Sequence, residues 1–159
     1  MKAKIVGVLV VVASISIFCT ISKAGEILLI EIDGRKNCCL ESNHNKCSKD
    51  ITLSAGKYII TPHKGAISRW GNDKTANKQG EHPWEFFVNV EAGNEIYGLG
   101  SLVRYGKADE AFEKQKTQKI DLDLNVNSVV RFWVEDEWEG RDYCRDNRGI
   151  EEVKIEKVY

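Results

Sequence analysis

Residues 120–134, IDLDLNVNSVVRFWV, decide the fold class. Ile120, Leu122, Leu124 and Val126 alternate with Asp121, Asp123 and Asn125, the period-two pattern of a strand with one buried face. Asn127-Ser128 supplies a turn, and Val129, Val130, Phe132 and Val134 follow as a second strand. The pair reads as a β-hairpin in the middle of a sheet. Working outward, the same signature recurs. Ile27 to Ile32 is an apolar run stopped by Asp33-Gly34, and Ile51 and Leu53 lead through Ser54-Ala55-Gly56 to Tyr58, Ile59 and Ile60. Pro62 removes a ladder donor and is expected to end that strand. From His63 to Pro83 the chain is polar and glycine-rich, which reads as a long loop.

Trp84, Phe86, Val88 and Val90 alternate against Glu85, Phe87, Asn89 and Glu91, so one face of this strand is expected in the core. Ile96 to Val103 is a further strand after Gly93-Asn94, and Ile150, Val153, Ile155 and Val158 make the last one. Only Ala108 to Lys116 is helix-like. About seven or eight short antiparallel strands with little helix predict an all-β domain, a β-sandwich.

The first 24 residues differ in kind. Lys2 and Lys4 precede an apolar run from Ile5 to Phe18, and Ser22 and Ala24 are small residues suited to cleavage. This is a secretory signal pattern, too short in its apolar part for a spanning helix. The expectation is a signal peptide over 1–24, a single domain over 25–159, and a secreted or periplasmic protein with no membrane span once the signal is cut. Removal of Lys2, Lys4 and Lys23 from 23 basic side chains, with all 24 acidic ones kept, leaves a formal charge of −4. Mild acidity excludes broad nucleic-acid binding, which needs a basic surface.

Cys19 leaves with the signal, and Cys38, Cys39, Cys47 and Cys144 remain. An even number in an exported chain predicts two disulfides. A bridge between the neighbours Cys38 and Cys39 would be strained, so one of them is sent to Cys47 and the other to Cys144, in either order. The competing reading is a metal site from Cys38, Cys39, His44 and Cys47, whose spacing departs from the usual zinc patterns.

The stretch from Val134 to Ile155 gathers Glu135, Asp136, Glu137 and Glu139, then Asp142, Asp146, Asn147 and Gly149. Asp136 ends one strand and Asp146-Asn147-Arg148-Gly149 precedes another. If those strands are neighbours, carboxylate and amide oxygens meet at one end of the domain, the donor chemistry that calcium takes. The plainer reading is a solvated turn, since Asn and Gly tolerate positive φ, with Arg141, Arg145 and Arg148 neutralising the carboxylates. Trp84 and Trp133 fall within strand patterns and are expected in the core. Trp70 and Trp138 have no partner in an alternation and are expected at the surface, where a ring could meet a ligand.

The order Phe132-Trp133-Val134-Glu135-Asp136, polar loop, Asp146-Asn147-Arg148-Gly149, terminal strand resembles the C-terminal part of bacterial galactose-binding calcium lectins of the PA-I type. The pattern Leu53-Ser54-Ala55-Gly56-Lys57-Tyr58 is similar to an upstream motif of such proteins, and Glu81-His82-Pro83 to a loop whose histidine meets the sugar. The resemblance implies a galactose-binding-domain-like β-sandwich with calcium at Asp136, Asp146 and Asn147 and a ligand contact from His82; Trp70 and Trp138 join it as ligand-contact candidates on their expected exposure alone. Trp84 and Glu85 replace the polar pair that follows that histidine in the lectins, and the gap from Asp136 to Asp146 is longer than theirs.

The function expected is a carbohydrate-binding or recognition module, calcium-dependent and non-catalytic. The alternatives are an exported structural or protein-interaction domain without metal, and a small envelope hydrolase built on a carboxylate pair. The three histidines, His44, His63 and His82, lie in loop readings, and no nucleophile elbow or His-Glu-x-x-His helix occurs.

Overall fold

A computed structural model describes residues 25–39, 41–69, 83–138, 141–142 and 144–159, with backbone alone at 41–43, 137–138 and 141–142. The signal-like segment, Trp70 and His82 lie outside the described residues. The strands are β1 (Ile27–Asp33), β2 (Lys49–Leu53), β3 (Gly56–Ser68), β4 (Trp84–Ala92), β5 (Glu95–Tyr105), β6 (Ile120–Leu124), β7 (Ser128–Trp133), the two-residue pair β8 (Glu137–Trp138) and β9 (Arg141–Asp142), and β10 (Arg148–Val158). A 3-10 turn spans Glu41–Lys46, and the helix α1 spans Ala108–Gln115. Among the described residues no helix is long and apolar enough to cross a membrane.

The class is all-β, as the alternation requires. Eight antiparallel strands form one sheet in the order β1-β10-β3-β4-β7-β2, with β5 added to β4 and β6 to β3. The expected two layers are joined, and the result is barrel-like. Among the named strands described, its halves, β1-β10-β3-β6 and β5-β4-β7-β2, are joined by the short ladder Ile67↔Glu85 and Ser68↔Trp84. One half presents Ile30, Ile32, Tyr58, Ile60, Leu122, Val153 and Ile155, and the other Phe86, Val88, Val90, Val130 and Phe132; all of them are buried in a common core. Helix α1 packs on β3, β4 and β5, where Phe112 meets Phe86 at a 6.2 Å ring separation.

Three expectations change. β6 and β7 alternate as read, but β6 pairs with β3 and β7 with β4 and β2. Alternation specifies a face and not a partner, so the Asn125–Asn127 connection passes from one half of the sheet to the other instead of closing a hairpin. β3 does not stop at Pro62. Its register with β10 slips between Glu152 and Val153, so that His63 is left out of the pairing, and the strand runs on to Ser68; a bulge at proline lets an extended strand continue. Finally, β4 is buried on both faces, with Glu85 at 3 % and Asn89 at 8 % exposure beside Phe86, Val88 and Val90.

Candidate functional site

The corner where β3 hands over to β4 holds the most unusual chemistry. Alternation along β10 turns Glu151 inward with Val153 and Ile155, and all three are buried. Its neighbour across the ladder is Gly65, where a Cβ would lie 2.0 Å from the Ile150 carbonyl oxygen at a φ of +84°. Glycine therefore permits the close approach of the β3 and β10 backbones at this position. Glu151 Oε1 accepts the Phe87 N–H at 2.9 Å. Beside it, Glu85 Oε1 accepts Arg69 Nε at 2.5 Å, and Arg69 Nη1 donates to Asp136 Oδ1 at 3.1 Å. Arg104 Nε stands 3.6 Å from Glu85 Oε2.

Burial dominates the electrostatics. It lifts the Glu151 carboxyl well above the usual range, against the Phe87 hydrogen bond and with help from the Glu85 charge. Glu85 and Asp136 are also raised, first by burial, with Arg69 pulling each of them down. For Arg69, burial opposes the charge, but the Glu85 and Asp136 carboxylates prevail and hold its pKa above the ordinary value. Two carboxyls of unequal protonation are what acid–base hydrolysis employs. Glu151, however, is 0 % exposed and Glu85 only 3 %, so neither reaches a substrate.

This arrangement has a pH signature. A group whose folded pKa is raised binds more protons in the folded than in the unfolded state between its two pKa values, so stability falls as pH rises through that window. Glu151, Glu85 and Asp136 all act in this sense. The melting temperature is expected to rise as pH is lowered from mildly alkaline toward the ordinary carboxylate pKa. In Glu151→Gln, which keeps an oxygen for the Phe87 N–H, the slope flattens and the variant melts higher than wild type at alkaline pH. A wild-type melting temperature that falls over the same interval refutes this.

The residues expected to hold calcium stand beside this corner. Asp136 follows β7, and Asp146 and Asn147 precede β10. Asp146 is close enough for its charge to push the Asp136 pKa upward. Asn147 is 3 % exposed, and its Nδ2 donates to Cys38 Sγ at 3.3 Å. That leaves Asn147 Oδ1 and Asp136 Oδ2 buried and without a hydrogen-bond partner among the described residues. Gly149 has a φ of +98°, as the Asp-Asn-x-Gly turn demands. Among the described residues no group of three or more His, Cys, Asp or Glu side chains is gathered to hold a metal; two acids and an amide are a different set. Trp138 lies in β8, and its side chain is outside the described set.

The cysteines resolve as Cys38–Cys144 and Cys39–Cys47. This corrects the zinc alternative, because thiols joined as disulfides are not thiolate ligands. His44 is instead stacked on Trp133, ring centroids 4.5 Å apart, with Nε2 2.7 Å from Glu91 Oε2. Arg131 Nη1 bonds the other Glu91 oxygen at 3.1 Å. Trp133, 1 % exposed, is buried as its strand position predicts.

Among the described residues the charge partner of Asp136 is Arg69; the Arg141 side chain lies outside them. Nothing around Arg69 in sequence marks it, since it sits 67 residues from Asp136 in a stretch that reads as loop. The one legible clue is the alternation of β4, which puts Glu85 at a position that packing then buries and that requires a cation. Comparison of the chain with family models, with curated proteins and with solved structures gives no match.

Proposed function

We propose that this chain is an exported, non-catalytic recognition module that takes calcium at Asp136, Asp146 and Asn147 and engages a carbohydrate or glycoconjugate at that end. The observation that carries the reading is the pair of buried oxygens, Asp136 Oδ2 and Asn147 Oδ1, with no hydrogen-bond partner among the described residues. Buried acceptors without a donor are costly, and a hard cation is a partner suited to both. The Cys38–Cys144 bridge supports it by tethering the loop that bears Asp146 and Asn147. The two disulfides also fit an oxidising compartment, the cell exterior or periplasm.

Thermal melting of the oxidised domain with calcium and with a chelator tests the reading. Calcium at 100 times its dissociation constant should stabilise by about 2.7 kcal/mol, and Asp136→Asn should abolish the shift. No shift at millimolar calcium in either protein overturns it. A second reading, an exported structural or protein-interaction domain without metal, is favoured by the Arg69–Asp136 pair, which already gives the carboxylate a counter-charge. A flat calcium response would leave that reading in place.

A further inference from the structure

The two halves of the sheet close unevenly along the side where β1 faces β2. At one end, closure is complete. Cys38 bridges Val134 in parallel register, Cys39 N–H donates to the Val134 carbonyl at 2.9 Å, and Val134 N–H donates to Asn37 O at 2.9 Å. Asn37 Nδ2 also donates to Cys47 O at 3.0 Å. Toward the other end β1 and β2 are the terminal strands of the sheet order, and a cavity of about 270 Å³ opens between them.

The lining of this cavity is of two kinds. Leu28, Leu53, Tyr58 and Ile155 form apolar walls, and Glu26 and Ser54 add polar groups. Glu26 precedes Leu28 by two residues, so strand periodicity sets it on the same side as the inward row of β1. Ser54 is held in place: Lys157 Nζ donates to its hydroxyl at 2.7 Å, the hydroxyl lies 3.1 Å from Tyr58 Oη, and Tyr58 O–H donates to the Ser54 carbonyl at 2.9 Å. Lys157 also stands 5.6 Å from the centre of the Tyr58 ring. The polar wall is thus fixed before any ligand arrives, which lowers the ordering cost of binding.

We infer that this seam binds a neutral, ring-sized polyol, of which a single pyranose is the simplest form. The volume of about 270 Å³ lies just below the range of drug-sized ligand sites, roughly 300–1,000 Å³. It accommodates one ring and not a chain of them. Such a molecule carries hydroxyls on its rim and C–H groups on its faces. Glu26 and Ser54 can bond the hydroxyls, and the side chains of Leu28, Leu53 and Ile155 pack against C–H. The Glu26 carboxylate in the lining is offset by the Lys157 ammonium held on Ser54, and a wall of balanced charge suits a neutral ligand. The inference goes beyond the reading above, which places its carbohydrate at the calcium end, and rests neither on that contact nor on its metal. Leu53 pairs with Ser128 at the start of β7, whereas Asp136 follows the far end of that strand.

The test is a titration of the oxidised, isotope-labelled protein with glucose, galactose, mannose and N-acetylglucosamine, followed by amide chemical shifts in the presence of a chelator. Binding is expected to move the amides of Leu28, Leu53 and Ser54. Leu28→Trp, which fills the cavity, and Glu26→Gln, which conserves shape, should each weaken it by about tenfold or more, and Asp136→Asn should not. Binding that vanishes with the chelator or in Asp136→Asn, yet survives in both seam variants, overturns the inference while sustaining the calcium reading. No binding of any sugar by the wild type overturns it as well, and the calcium melting shift then decides the metal site by itself.

Discussion

Replacing Cys38 and Cys144 together by serine is expected to destabilise the protein by about 5 kcal/mol, against about 2.5 kcal/mol for the Cys39 and Cys47 pair. The asymmetry follows from loop length: the first bridge spans 106 residues and the second 8. In the chain-entropy account, the longer loop removes more freedom from the unfolded ensemble. Loss of Cys38 also takes away the sulfur that accepts the Asn147 amide. Against a total stability of about 5–15 kcal/mol for a domain, the larger figure threatens folding itself. Urea unfolding of the two double variants, each keeping the other bridge oxidised, measures the difference. Equal losses, or a larger loss for the short bridge, would show that chain entropy does not set the contribution of Cys38–Cys144.

The second large effect is expected at Arg69. Arg69→Met removes a cation that hydrogen-bonds both Glu85 and Asp136, whose side chains are 4 % and 13 % exposed. Breaking a buried pair from one side leaves a charge without compensation, and losses of about 3–5 kcal/mol are typical. Arg69→Lys should recover only part of this, because an ammonium cannot span two carboxylates as a planar fork does. Adding Glu85→Gln to Arg69→Met should restore more than half of the loss, since the need for the cation goes with the carboxylate. Denaturant melts of the three variants give the comparison. A double variant no more stable than Arg69→Met alone would mean that Arg69 acts through packing and not through charge.

The fold was legible where side chains alternate and illegible where backbone geometry decides. Ile120 to Val134 announces strands because apolar and polar residues take turns, and Asp33-Gly34 and Gly93-Asn94 announce where strands stop. Whether β6 pairs with β7 or with β3 depends on long-range packing that no short window carries. Pro62 misled for a local reason: the rule that proline ends a strand fails when a bulge absorbs it. At the candidate site, Asp136, Asp146 and Asn147 were readable as oxygen donors at a strand end. The cluster of Glu151, Glu85 and Arg69 was not, because Glu151 lies in the run Arg148 to Lys154 where charge is expected to face water. Its burial is a property of the β10 alternation seen against Val153 and Ile155, and the raised pKa that burial causes is visible only in the folded chain.

The register of β1 has a bearing on how the chain acquires its shape. Ile27–Asp33, the first strand, is hydrogen-bonded to Ile150–Glu156 of the last one, and the bridge that seals the seam ties Cys38 to Val134. A polypeptide that emerges amino end first therefore holds β1 without its β10 partner until residues 150–156 have appeared. Contacts of such sequence separation fold slowly, on the millisecond-to-second scale, and an unpaired apolar edge invites association meanwhile. The short Cys39–Cys47 bridge needs none of this wait, because its two cysteines emerge together. Oxidation is thus expected in sequence, the local link of separation 8 before the long one of separation 106.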